Sequence, residues 1–346
     1  MKKFLALLLT ALFLLSVGTC ALAAVSSETS PSENKQATFY FNKKYVKTVS
    51  ETASDTFPAE ELSFNVTADA SNPSDTLIAI APQTVDAVND EIGITIPAYT
   101  AVGNYMYTIS EVVGDTQGVT YSSESFLVEV MVTYKDNGSG MERQVVFKTA
   151  NPAEENGKVD TITNRFDTGD LTVKKVVSGN LASTTALFDI IVEFTASPGE
   201  VVRSNITYAG GSDASASGTI APNDWVTAAG QTSSKATVTI KLKADETVTF
   251  SHIPEGVHYT VHEDTKHTNP DELNLGDDKG YQVSGEVGNP REIMCDETSH
   301  VIITNTKTTG INTGISLDSL PYIIALAVVG VGAVLFLVRR RRREDD

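Results

Sequence analysis

The chain has 346 residues, 41% of them hydrophobic and only 7% aromatic, with 44 acidic against 26 basic side chains and a formal net charge of −18. That balance argues against nucleic-acid binding and for a soluble, solvent-facing body. The length allows two domains of ordinary size after the ends are set aside.

Residues 1–23 read as a secretory signal peptide. Lys2 and Lys3 precede an apolar run from Phe4 to Val17, and Ala21, Leu22 and Ala23 form an A-x-A site before Ala24. The alternative, a lipoprotein cysteine at Cys20, wants Gly or Ala before it and finds Thr19. Residues 24–36 follow as a linker. From Ala37 onward Thr, Ser, Val, Asn and Gly dominate, helical periodicity is nearly absent and turn signals recur at short spacing, which predicts all-β sandwiches.

In the first domain, residues 37–168, an alternating strand puts Phe39, Phe41, Lys43 and Tyr45 on one face, with Lys44 and Lys47 as competing lysines. Further on, Tyr107, Ile109 and Glu111 share a face, and Ile162, Thr163 and Asn164 come near the domain's end. The second domain, residues 169–308, repeats the order. Leu171, Val173, Lys175 and Val177 share a face, as do Tyr259, Val261 and Glu263, and Ile303, Thr304 and Asn305 come last. Lysine and asparagine are 121 residues apart in one unit and 130 in the other. Two copies of one domain, split near Thr168-Gly169, account for the pattern.

The mature region holds a single cysteine, Cys295, so no disulfide forms within it. The recurring lysine and glutamate suggest another staple. An amine and a carboxyl facing a core are costly unless they neutralise each other or react. Burial lowers the pKa of an amine and raises that of a carboxyl, so a free amine and a carboxylic acid can coexist. The amine can then attack the asparagine carbonyl, the acid polarising that carbonyl and shuttling protons. Ammonia leaves, and an amide joins the first strand to the last.

Residues 309–346 close the chain. Tyr322 to Val338 is unbroken apolar sequence, at the short limit of a membrane span (322–338), and Arg339 to Arg343 follow as a basic stop. Upstream, Thr313-Gly314, a short spacer, the span and the arginines resemble a sortase sorting signal, with cleavage between Thr313 and Gly314. The usual form carries Leu-Pro before the Thr; here Ile311-Asn312 stands in that place, which leaves the sortase class open. A plain single-pass membrane protein is the other reading of this end.

The signal, the Lys-Glu-Asn set found twice and the sorting signal together resemble the major (backbone) pilin of Gram-positive bacteria, streptococcal two-domain type. The likeness spans essentially the whole length. It implies two tandem immunoglobulin-like (CnaB-type, collagen-adhesin B) β-sandwich domains between a signal peptide and a sorting signal. Each would hold an autocatalytic isopeptide bond, Lys43 to Asn164 beside Glu111 and Lys175 to Asn305 beside Glu263. It also implies a cell-wall-anchored extracellular pilus subunit polymerised by sortase, with no cofactor and no enzymatic turnover beyond the intramolecular reaction. Implied partners are neighbouring copies of itself, the sortase, and a host surface or other pilins, with membrane contact only before sorting. The family's intersubunit lysine precedes the last strand of the first domain, a placement that Lys158 fits; an exposed loop lysine without a role is the competing reading. The alternative function is a monomeric wall-anchored adhesin or stalk, for which Trp225 and the Ser/Gly-rich stretch 209–231 offer a surface.

No metal site is expected. His258 and His262 share a strand face but lie ~13 Å apart at ~3.3 Å per residue, too far to chelate one ion. His267 is the third histidine around Glu263, and the acids from Asp271 to Asp278 lack an ordered calcium-loop spacing and read as a solvated loop, with adventitious calcium the alternative. No nucleotide loop and no Ser-His-Asp elbow is present.

Overall fold

In this computed structural model the described residues are 31–50, 56–73, 76–87, 89–149, 161–264 and 281–308, with parts of a helix between 324 and 334. The chain is all-β, in two sandwich domains with separate cores. One core gathers residues between Phe39 and Phe166, the other between Leu171 and Ile303. Alternation builds both. In Ser125–Tyr134, Phe126, Val128, Val130 and Val132 point inward, and in Phe188–Thr195, Phe188, Ile190, Val192 and Phe194 do. β-Branched and aromatic side chains on one pleat face are what a half-buried strand selects.

The first domain sets a four-stranded sheet against a five-stranded one. The four run Asn89–Ile96, Ala37–Val46, Thr161–Phe166 and Val119–Thr120. The five include Gly103–Glu111 between Ser125–Tyr134 and Phe64–Ala68. At the outer edge of this sheet Ser32–Glu33 pairs with Met141–Thr149, so part of the stretch 24–36 expected as linker joins the sandwich. Asn34 fastens it by exchanging hydrogen bonds with the Tyr99 backbone at 2.7 and 2.9 Å.

The second domain sets six strands against five. Thr168–Ser178 lies between Thr247–Pro254 and Thr298–Thr306 in the six-stranded sheet, and His258–Glu263 lies in the five-stranded one. In both domains the first and last long strands are parallel neighbours, a pairing that needs a crossover connection; here the body of the domain is that connection. The registers match. Lys43 pairs with Ile162 and Lys175 with Ile303, so each asparagine lies two residues beyond its lysine's partner, on the same face.

The domains meet through backbone and side chain alike. Thr116 and Val201 form a parallel bridge, with Gln117 N donating to Val201 O at 3.0 Å and Val201 N to Asp115 O at 2.8 Å. The Gln117 side chain spans the joint, donating to Glu255 O at 2.7 Å and accepting from Ser197 N at 2.7 Å. Arg203 pairs with Asp115 at 2.7 Å. Thr168-Gly169, the expected boundary, is the covalent crossing point. A Cβ at Gly169 would sit 2.3 Å from Met294 O, so the strand can pass there only as glycine.

The stretch 209–231 is built into the sandwich. Gly218–Ile220 and Val226–Thr227 are edge strands, one on each sheet, and Ala216 and Ile220 are buried. Trp225 packs against the second core. The composition suggested a surface for binding because small polar residues suit exposed loops and short edge strands alike, and spacing does not separate the two.

Candidate functional site

Two matching constellations sit inside the sandwiches. In the first domain Phe39, Phe41, Lys43 and Tyr45 all face the core, and the Lys43 side chain is 0% exposed. Glu111 reaches it from the opposite sheet, and its Oε2 accepts from Lys43 Nζ at 2.9 Å. Asn164, also buried, donates from Nδ2 to the other carboxylate oxygen, Oε1, at 2.9 Å. Of the competing lysines, Lys44 is half-buried on the other strand face, and Lys47 lies 4.0 Å from Asp296 across the domain joint. The second domain repeats the arrangement. Lys175 Nζ donates to Glu263 Oε2 at 2.5 Å, and Asn305 Nδ2 donates to Glu263 Oε1 at 2.7 Å.

In both sites the carboxylate bridges amine and amide nitrogen, and faces away from the asparagine carbonyl. The expectation that the acid polarises the carbonyl therefore does not match this geometry. The carboxylate is placed to receive a proton from the lysine and hand it to the leaving nitrogen. The first domain's carbonyl has a different partner: the backbone N–H of Ser122 donates to Asn164 Oδ1 at 2.9 Å. Sequence reasoning missed this group because a main-chain donor in a loop has no residue signature.

Burial raises the neutral fraction of each amine, against a nearby aromatic ring that favours the cation. The Tyr45 ring centroid lies 5.6 Å from Lys43 Nζ, and the Phe188 ring 4.5 Å from Lys175 Nζ. Burial pushes Lys43 down to about 8 against the opposing pull of Glu111. Burial also lowers Lys175, opposed by Glu263. At pH 7 a lysine with a pKa near 8 is about one-tenth neutral, against ~0.03% for an ordinary one. Beside the first site a further buried acid, Glu60, is held by hydroxyls: Tyr45, Tyr121 and Thr116 all donate to it. That network leaves Glu111 as the carboxylate in contact with the amine.

Residues 33–167 match the model of the Spy0128-like isopeptide containing domain. That match covers the first domain alone. Residues 169–307 match a different model, a Domain of unknown function (DUF7601), so the two units share the Lys-Glu-Asn register without sharing a family model. A pilin of Streptococcus pyogenes serotype M1 is 26% identical over 251 residues, covering 69% of this chain and 68% of that protein. Among solved structures, the major pilin of S. pyogenes aligns with 79% of this chain and 99% of its own at 17% identity and a TM-score of 0.46. The major pilin T-13 of the same species aligns with 82% and 99% at 18% identity and a TM-score of 0.48.

Residues 1–23, Lys158, Thr313, Gly314, His267 and the acids from Asp271 to Asp278 lie outside the described residues, as do 322, 323, 325, 332 and 335–338 of the expected span 322–338. Ile324, Leu326–Val331, Ala333 and Val334 are helical, and among the described residues no helix is long and apolar enough to cross a membrane.

A pH dependence follows from the Lys43 environment. Asn164→Ala removes the electrophile and keeps the amine in its pocket. Between pH 8 and 10.5 the unfolded chain holds a lysine proton that the folded chain has lost, so stability rises with pH through that window. Tyr45 and Tyr121, raised by burial, oppose this once unfolded tyrosine ionises near pH 10. From pH 8 to 10, denaturant unfolding of Asn164→Ala should therefore gain about 2 kcal/mol relative to Lys43→Met/Glu111→Gln/Asn164→Ala. Parallel pH profiles for the two variants would remove the depressed lysine from the account.

Proposed function

We propose that the chain is a structural subunit of a covalently assembled surface pilus, each domain closed by an autocatalytic Lys-Asn isopeptide bond and successive subunits joined by a sortase. The observation that carries this reading is the pair of buried Lys-Glu-Asn sets at one register, each bridging the first and last long strands of its sandwich. With subunits joined from Thr313 to Lys158, tension runs along the last strand of the first domain, enters the second domain by its first strand and leaves by its last. An amide between those strands carries the load past the rest of the fold, where hydrogen bonds alone would yield. The two units suit a series arrangement: Asn164 lies just ahead of the crossing at Thr168-Gly169, and Lys175 soon follows. The isopeptide-domain model that residues 33–167 match and the pilin relative support the same reading.

In the bond-forming step the neutral Lys43 amine attacks Asn164 Cγ. The new C–N bond forms, the Cγ–Nδ2 bond breaks, and one amine proton passes by way of Glu111 to the departing nitrogen, which leaves as ammonia. Lys175, Glu263 and Asn305 take the same roles in the second domain. The chain acts on itself once and turns over no external substrate.

For assembly, the sortase cleaves between Thr313 and Gly314 and transfers the Thr313 acyl group to Lys158 of the next copy. A head-to-tail joint of this kind is heterologous and gives an open filament unless its rotation closes. The test is an immunoblot of cell-wall extract boiled in detergent. The expected result is a ladder of multiples that collapses to wall-anchored monomer in Lys158→Ala. A persisting ladder removes the acceptor assignment alone. A single band from the unmutated strain replaces the shaft with a monomeric stalk, whose case is weakened by the packing of Trp225 against the core.

A further inference from the structure

Among the described residues the two sites differ in how the asparagine carbonyl is held. As nitrogen attacks Asn164 Cγ, the carbonyl π electrons move onto Oδ1, and the resulting oxyanion persists until the Cγ–Nδ2 bond breaks. A donor fixed 2.7–3.1 Å from that oxygen stabilises the charge without reorganising. Ser122 N is 2.9 Å from Oδ1, and the oxygen is assigned by the neighbouring contact, because Nδ2 is the atom that donates to Glu111. Asn164 is fully buried, so the bond acts in a dry, low-dielectric setting where it counts for more than in water. In the second domain Asn305 Oδ1 is buried and finds no hydrogen-bond partner among the described residues, although Nδ2 is held by Glu263 as in the first.

We propose that the backbone N–H of Ser122 is the oxyanion-stabilising donor for the first domain's crosslinking reaction, a donor that the second site lacks among the described residues. The proposal rests on the isopeptide reading above. It assigns the carbonyl's polarisation to the main chain and leaves Glu111 to proton transfer.

The test is a time course on the full chain made by cell-free translation, with loss of about 17 Da followed separately in the crosslinked peptides of each domain. Serine at position 122 is replaced by its α-hydroxy acid, which exchanges the N–H for an ester oxygen and keeps the side chain. First-domain closure is expected to slow by about 10²-fold, the usual effect of deleting one oxyanion donor. Second-domain closure in the same molecules is expected to be unchanged. Ser122→Ala keeps the N–H and should close at the parent rate. Parent-rate closure in the ester variant, with its first domain protease-resistant, overturns the proposal. If the ester prevents folding, Glu111→Gln decides: exchange of the Ser122 amide hydrogen as fast as in Asn164→Ala means that this N–H does not hold Oδ1, and overturns the proposal equally. If neither domain of the unmodified chain loses ammonia, the isopeptide reading itself falls.

Discussion

A recombinant body spanning residues 24–313 is expected to weigh about 34 Da less than its sequence, because each of two crosslinks expels one ammonia of about 17 Da. Glu111→Ala should restore about 17 Da, Glu263→Ala should restore the other 17, and the double variant should have the full sequence mass. The effect is all-or-none because the carboxylate holds both reacting nitrogens, within 2.9 Å in the first site and 2.7 Å in the second. Without it, no group in contact with the amine can take its proton, and the amide nitrogen loses its hydrogen-bond acceptor. Glu111→Ala also leaves Lys43 buried beside an aromatic ring with no counter-charge, a loss of about 3–5 kcal/mol on top of the missing bond. Glu111→Gln keeps the shape and removes only the base; it should behave like Glu111→Ala in mass and be less damaged in stability. A full sequence mass for the unmutated body would refute the crosslinks.

How much of this was legible in the chain turns on strand phase. The lysine faces followed from alternation alone, and alternation survives only while register is unbroken. Ala37–Val46 pairs with Asn89–Ile96 without interruption through Lys43. Thr168–Ser178 does shift register against Thr247–Pro254, but between Gly169 and Leu171, upstream of Lys175, so the phase at the lysine is kept. A bulge four residues later would have turned the amine to solvent. The asparagines were legible because each lies in a short apolar strand that repeats near the end of its unit.

What the sequence hid has a common physical character: contacts made by atoms every residue possesses, or by hydroxyls remote in the chain. Glu60 stands beside Glu61 in the strand Glu60–Leu62, and nothing local says which is buried. Its partners Tyr45, Thr116 and Tyr121 are 15, 56 and 61 residues away. The joint between domains depends in the same way on Gln117 and Arg203, polar residues of ordinary aspect in loops. The carboxylate's orientation is a further case. Composition could pair Glu111 with Asn164, but only the fold decides that the amide presents its nitrogen to the acid and its oxygen to the main chain.

The second large effect is on stability, and three variants of the second domain separate its causes. Asn305→Ala leaves the Lys175-Glu263 ion pair intact and deletes only the crosslink. That crosslink spans 130 residues, and by analogy with a disulfide closing so long a loop it contributes about 4–5 kcal/mol through the unfolded chain. For a domain of this size the melting temperature should fall by roughly 15–20 °C. Lys175→Ala deletes the same crosslink and also strands Glu263, which is 3% exposed, without its cation, so its loss should exceed that of Asn305→Ala by a further few kcal/mol. Cys295→Ser, half-buried near the domain joint and part of no crosslink, should change melting by no more than about 2 °C. Calorimetry and limited proteolysis would read all three, with the first domain of each variant, its own crosslink untouched, as the internal reference. The order Lys175→Ala, then Asn305→Ala, then Cys295→Ser follows only if a covalent bond and a buried ion pair contribute separately. Equal melting of Asn305→Ala and Cys295→Ser would mean that no bond had joined the strands, and that the parallel pairing of Thr168–Ser178 with Thr298–Thr306 is held by its hydrogen bonds and packing alone.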